Sequence, residues 1–245
     1  MRISRDHVFA DQRIVEYLRK NQYHPRSDKH GQTLCRYFLE DLLFESAILR
    51  KAAFEGKLVY NEDCTIGQGA LCWTIDLILG SPPQGRFFGN QNGIAKDEIK
   101  DVWLAVDAKS VMTEHGKARR NRQRDLSSLA TIVKHYYPRS VVCGLMLVNM
   151  SERFVSPLRD GVTYHKNIEK LVKETIDIFN EIPRADIQGG TGIEGVGIIV
   201  VDHTNDPRDE TKLVTKPPAP NQNDSANYRR FLQTVRMALE RRFLT

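Results

Sequence analysis

The chain has 245 residues, of which 40% are apolar and 27% charged, with a mean hydropathy of −0.45. Those proportions exclude a disordered chain, which cannot bury enough apolar surface, and a membrane-embedded one, which would be far more apolar. Lys and Arg number 36 against 31 Asp and Glu, a net charge of +5 that permits an anionic partner without requiring one.

The length suits one domain with a full-sized core. The expected organisation is a single domain over 1–245, with 1–30 an N-terminal appendage and 216–245 a C-terminal loop and helix. Cys35, Cys64, Cys72 and Cys143 form no CxxC pair, which points to reduced thiols and away from structural zinc. The first residues, MRISRDHVFADQR, carry no apolar signal segment, and the run Val141–Val148 is too short to span a bilayer. A cytoplasmic, prokaryotic protein with no membrane association is expected.

In chain order, Ile14, Val15 and Leu18 mark a short helix, and 21–30 (NQYHPRSDKH) reads as a loop. Residues 32–54 repeat apolar side chains at helical spacing through Leu34, Phe38, Leu42 and Leu49. Residues 70–79 are rich in strand formers, 81–93 is a Pro- and Gly-containing loop, and 101–111 (DVWLAVDAKSV) is the next strand. Residues 114–134 form a helix with a basic first half. Residues 141–150 are a buried strand, 167–180 an amphipathic helix, 196–202 a second buried strand, and 226–244 a basic terminal helix whose cations are expected in solvent. Apolar strands alternating with helices predict an α/β fold with a mixed central β-sheet flanked by helices.

Two strands each carry an aspartate among apolar neighbours: Asp76 in CWTIDLILG and Asp107 in VWLAVDAKS. Strand alternation puts Asp107 and Lys109 on one side and turns Ala108 away. Buried carboxylates are costly unless paired or bound to a metal. Two of them on neighbouring strands call for a cation between them, and Lys109 would partly offset the charge and could hold a water. Hard carboxylate oxygens suit Mg²⁺, and the Ala108 carbonyl offers a further ligand atom.

On Asp76 and the triplet Asp107-Ala108-Lys109, 31 positions apart between the acids, the chain resembles the PD-(D/E)XK nuclease superfamily. The resemblance covers roughly residues 34–150 by element order. Ile75 stands where the family usually has proline, and Asp107 where glutamate is commoner. What the resemblance implies is a restriction-endonuclease-like core and Mg²⁺-dependent hydrolysis of double-stranded DNA at a short site, by a homodimer similar to type II restriction enzymes. Asp76, Asp107 and Lys109 would be catalytic, Asp76, Asp107 and Ala108 would hold the metal, and Glu40 or Glu45 on the preceding helix would be the supporting acid. Two alternatives stay open: a low-specificity repair or phage-defence nuclease, and a non-catalytic nucleic-acid-binding module.

The helix after the second acid carries Lys117, Arg119, Arg120, Arg122 and Arg124. Phosphates attract such a stripe, and Asn121 or an arginine could read base edges. The polar segment 152–167 adds Arg159, His165 and Lys166 as further candidate DNA contacts. A GxGxxG match at Gly190, Gly192 and Gly195 runs straight into a strand instead of opening a helix. It is read as a turn, and no nucleotide cofactor is expected.

Overall fold

The structure, a computed structural model, describes residues 7–84, 93–158, 161–186 and 189–244. Its helices are α1 (Ala10–Asn21), α2 (Lys29–Glu45), α3 (Ala47–Phe54), α4 (His115–Tyr136), α5 (Ile168–Asn180) and α6 (Tyr228–Phe243). Its strands are β1 (Val59–Gln68), β2 (Leu71–Ser81), β3 (Ala95–Lys96), β4 (Asp101–Val111), β5 (Val141–Asn149), β6 (Arg153–Val155), β7 (Val162–Tyr164), β8 (Gly195–Asp202) and β9 (Lys212–Leu213). Seven strands form one sheet in the order β3-β1-β2-β4-β5-β8-β9, and β6 and β7 pair separately. β2 is antiparallel to β1 and β4, whereas β4, β5 and β8 run parallel. The chain is therefore α/β with a mixed central sheet flanked by helices.

Alternation along the strands divides the core into two layers. Leu104, Val106 and Ala108 of β4 face α1, α2, α3 and α6, while Ala105 and Val111 face α4 and α5. β5 is buried along its whole length, as a central parallel strand covered on both faces must be. α1 is part of this core through Ala10, Ile14 and Leu18, all with no exposed surface. No described helix is long and apolar enough to cross a membrane.

Three details differ from the sequence expectation. The helical pattern over 32–54 is broken at Ser46, whose backbone is extended and whose hydroxyl accepts the Leu49 N–H, capping α3. The glycine-punctuated stretch 58–70 is a strand, β1, closing a hairpin with β2. Its Gly67 (φ +92°) is required, since a Cβ there would lie 1.9 Å from the Leu71 carbonyl oxygen. Arg242 of the terminal helix is buried instead of solvated.

Arg242 and Lys134 each reach the buried Glu194 carboxylate at 2.8 Å, which also accepts the Val142 N–H at 2.6 Å. This cluster ties α4 and α6 to β5 and to the segment before β8. Glu194→Ala removes the carboxylate that two cations and a backbone donor share, so a loss of about 3–5 kcal/mol in guanidinium unfolding is expected. A loss below about 1 kcal/mol would show that the cluster does not hold the two layers together.

Candidate active site

Asp76 and Asp107 meet where the sheet comes apart. The β2–β4 ladder ends at Leu77 opposite Val106, so the next facing pair would be Asp76 and Asp107. There the Asp76 carboxylate, not a backbone carbonyl of β2, accepts the Ala108 N–H, at 2.7 Å. β1 yields at the same level. Its pairing with β2 skips the position between Glu62–Leu77 and Cys64–Ile75, and Asp63, which would face Asp76, has φ +53°. β2 is thus released from both neighbours at Asp76, while β4 stays fixed to β5 from Leu104 to Val111.

Asp107 has no exposed surface. Lys109 Nζ donates to its Oδ1 at 2.5 Å, but Oδ2 is buried with no hydrogen-bond partner among the described residues. Burial pushes the Asp107 carboxyl up to about 7, with Lys109 opposing the shift and Asp76 adding to it. Lys109 and Asp76 are only partly covered. The site therefore has one sequestered carboxylate, one carboxylate at its mouth and one ammonium between protein and solvent. The N–H and C=O of a strand residue point to the same side, so the Ala108 carbonyl faces the gap left by β2.

These groups fit a divalent cation of the Mg²⁺ type. The unpartnered Oδ2 and the adjacent Asp76 are hard oxygen donors, and Mg²⁺ binds through one or two carboxylates while retaining waters. No group of three Asp, Glu, His or Cys that could hold a metal occurs among the described residues. The structure does not bring Glu40 or Glu45 to this point. α2 approaches Ala108 at Gly31, so Glu40 lies about 13 Å and Glu45 about 21 Å farther along the helix axis. Glu40 is taken by Arg13 of α1. The nearby acids are instead Asp63 and Asp28, both hydrogen-bonded by Gln32 Nε2 at 3.0 and 3.1 Å.

A second polar group adjoins Lys109. Ser110 Oγ lies 3.1 Å from both the Tyr23 hydroxyl and His30 Nε2, which join the α1–α2 connection and the first turn of α2 to β4. Burial holds the His30 imidazole down to about 4, against the attraction of Asp76 and Asp28 and with the repulsion of Arg122. Burial raises the Tyr23 hydroxyl, and Ser110 and Arg122 moderate it.

α4 sorts the candidate DNA contacts by face. Lys117, Arg120, Asn121 and Arg124 are set at i, i+3, i+4 and i+7, one stripe along the helix. Lys117, Arg120, Asn121 and Arg124 are all exposed. Arg119 points elsewhere, bound to Glu174 of α5 at 2.6 Å. Arg122 is half-buried and bound to Asp125 in the next turn at 3.0 Å. His165 is half-buried against the His115 ring, with centroids 5.3 Å apart, and its Nε2 is buried without a partner among the described residues. Lys166 is exposed, and Arg159 lies outside the described residues. Gly190, Gly192 and Gly195 lie in the turn before β8 and at its first residue.

Sequence reasoning did not single out Tyr23, His30, Ser110 or Asp63. Ser110 stood beside Lys109 in the strand, and HPRSDKH was a polar loop with a histidine; neither pattern names its partner. No protein-family model, curated protein or solved structure matches the chain. The reading of the site therefore rests on its geometry.

His30 gives a measurable pH dependence. The folded ring takes its proton only near pH 4, whereas in an unfolded chain it does so near about 6.5. Protonation thus favours unfolding: this contribution to stability is complete above about pH 6.5 and declines toward pH 4, by about 1.4 kcal/mol per pH unit at most. The His30 Cε1–H resonance is expected to titrate below about pH 5, and a midpoint near 6.5 would contradict the packing of the ring against Tyr23 and Ser110.

Proposed function

We propose that the protein is a Mg²⁺-dependent endonuclease of double-stranded DNA, acting as a cytoplasmic homodimer at a short specific site. The observation that carries the reading is the Asp107 carboxylate, buried beside Asp76 with one oxygen unpartnered among the described residues and a lysine on the other. An ionised carboxylate in that position is destabilising unless a cation completes it.

In the proposed reaction Asp76 and Asp107 would hold Mg²⁺, with the Ala108 carbonyl available as an additional oxygen donor. When bound, the ion neutralises charge on the phosphate and lowers the pKa of a coordinated water. Lys109 is joined to Asp107 and open to solvent on its far side. It orients the attacking water and donates to a non-bridging phosphate oxygen. The Ala108 N–H fixes the rotamer of Asp76, so the carboxylate at the mouth is preorganised. The outward stripe of α4 supplies sequence-independent phosphate contacts, and a two-fold dimer would present two such sites to the two strands.

Incubation of the purified protein with bacteriophage DNA, with Mg²⁺ and with EDTA, tests the reading. Discrete metal-dependent fragments are expected. A metal-dependent smear would replace site specificity with a low-specificity nuclease, and no cleavage of methylated or unmethylated DNA would favour a binding module. Asp76→Ala is expected to lower the cleavage rate by about 1,000-fold, an order of magnitude typical for loss of a group that stabilises transition-state charge. Its duplex affinity in EDTA should stay close to that of the wild type; full activity of the variant would remove Asp76 from the site.

Duplex binding should weaken steeply with salt. Replacing Lys117, Arg120 and Arg124 together by Ser is expected to flatten the slope of log K against log[salt] by about 2–3, since each phosphate neutralised by a cation adds about 0.9 to it. An unchanged slope would place the DNA on another surface.

A further inference from the structure

The β6–β7 hairpin stands apart from the main sheet and has one anchored face and one open face. Facing residues of an antiparallel pair share a side. Phe154 and Thr163 therefore lie on one face, and Arg153, Val155, Val162 and Tyr164 on the other. Phe154 is buried, edge-on to the rings of Tyr23 and His203 with centroids 6.2 and 6.3 Å away. Asn205 Nδ2 donates to the Tyr23 and Val155 carbonyls at 3.0 and 2.9 Å. Arg153 is held by Asp206 at 2.7 Å and Asp209 at 3.1 Å. On the open face Tyr164 is 72% exposed and Val162 39% exposed, so a firmly seated ribbon presents an aromatic ring and a branched aliphatic side chain to solvent.

Two contacts place this ribbon. Tyr23, on which Phe154 packs, reaches Ser110 Oγ with its hydroxyl at 3.1 Å, one residue from Lys109. On the other side the His165 ring meets the ring of His115 at 5.3 Å between centroids. His115 is the first residue of α4, two positions before Lys117 opens the outward basic stripe. Lys109 pairs with Met146, so β5 runs only about 10 Å farther before it ends at Asn149, and β6 begins at Arg153. The hairpin thus bridges the neighbours of the active-site lysine and the start of the basic helix.

The flanks of the open face are cationic. Lys166 is exposed two residues after Tyr164, and Lys117 and Arg120 are exposed beyond the His165–His115 contact. A DNA duplex complements that charge with its phosphates. Its major groove, about 12 Å wide, admits a two-stranded β-ribbon, and apolar side chains there meet thymine methyl groups. A tyrosine hydroxyl can donate to or accept from a base edge.

We propose that the open face of the β6–β7 ribbon enters the major groove, where Val162 and Tyr164 read base edges and set the cleavage site. This assignment rests on the nuclease reading above. It gives the ribbon the sequence contacts and leaves the α4 stripe the phosphates.

Wild-type protein and Tyr164→Ala, the variant first checked for native circular dichroism, are each used to digest genomic DNA with Mg²⁺, and the fragment ends are sequenced. Tyr164→Ala is expected to lose discrimination by about 10- to 100-fold at one or two positions of the wild-type site, the size of a lost base contact. Those positions should be ones where the wild type tells A·T from T·A, a distinction the major groove displays and the minor groove does not. The salt slope of duplex binding should not change, because Tyr164 touches no phosphate. An unchanged recognition sequence in Tyr164→Ala would overturn the assignment and leave the nuclease reading intact. A sedimentation shift to a smaller assembly with the recognition sequence unchanged would do the same and give this face to a second copy of the chain. Wild-type cleavage with no sequence preference would also overturn it. If the wild type cleaves nothing, the nuclease reading falls, and selection of bound duplexes from a random pool in EDTA decides the ribbon. A selected sequence that relaxes in Tyr164→Ala would keep it as the reader, and any other result would overturn it.

Discussion

Asp107 sets the terms for the structure around it. A carboxylate removed from water costs several kcal/mol unless its oxygens are bonded, and here one oxygen has Lys109 while the other has nothing among the described residues. The strand that carries it cannot relieve the cost by shifting. Consecutive positions of β4, from Leu104 to Val111, are in register with β5, and apolar layers press on both faces. On the other side β2 leaves the ladder and Asp76 takes the Ala108 N–H, bringing a second carboxylate that adds to the cost. A polar opening within the sheet is the result.

The two helical layers give that opening its chemistry. From one layer, the N-terminal turn of α2 delivers His30 and Gln32, with Gly31 lying against Ala108. From the other, α4 contributes cations of two kinds. Four polar residues at helical spacing run along its outer side, whereas Arg119 is bound to Glu174 of α5 and Arg122 to Asp125. The Glu194, Lys134 and Arg242 cluster lies elsewhere in the molecule but bears on the site. By binding α4 and α6 to the central strand it limits how far the basic helix can move relative to the carboxylates.

Much of this was legible in the chain. β5 and β8 read as buried strands because their apolar runs are continuous, and β4 reads as a strand from its strand-forming residues. α4, α5 and α6 read as helices because their apolar residues recur every three or four positions. The pair of aspartates stood out because a charge inside an apolar strand has a cost that composition makes visible. Other features were not legible, for physical reasons. Whether a helical pattern continues through Ser46 depends on a hydroxyl finding the Leu49 N–H. Whether Arg119 meets DNA or Glu174 depends on where α5 packs. Glu40 and Glu45 were reasonable supporting acids by their place on the helix before the site, but that helix presents its first turn there, and both fall too far along its axis.

By itself the sequence determined the alternation of strands and helices, the mixed sheet, and the presence of an acid, an alanine and a lysine whose side chains must alternate across one strand. Those follow from periodicity and from the cost of charge in an apolar segment, which are local properties. Tertiary structure alone decided that β2 parts from β4 at the acids, that Ser110 draws in Tyr23 and His30, 87 and 80 residues away, and that Arg119 of the basic helix is taken by Glu174 of α5. Each of these is a contact between segments distant in the chain. It exists because the packing of the two layers leaves one geometry in which the buried polar atoms are best satisfied, and no short stretch of sequence carries that information.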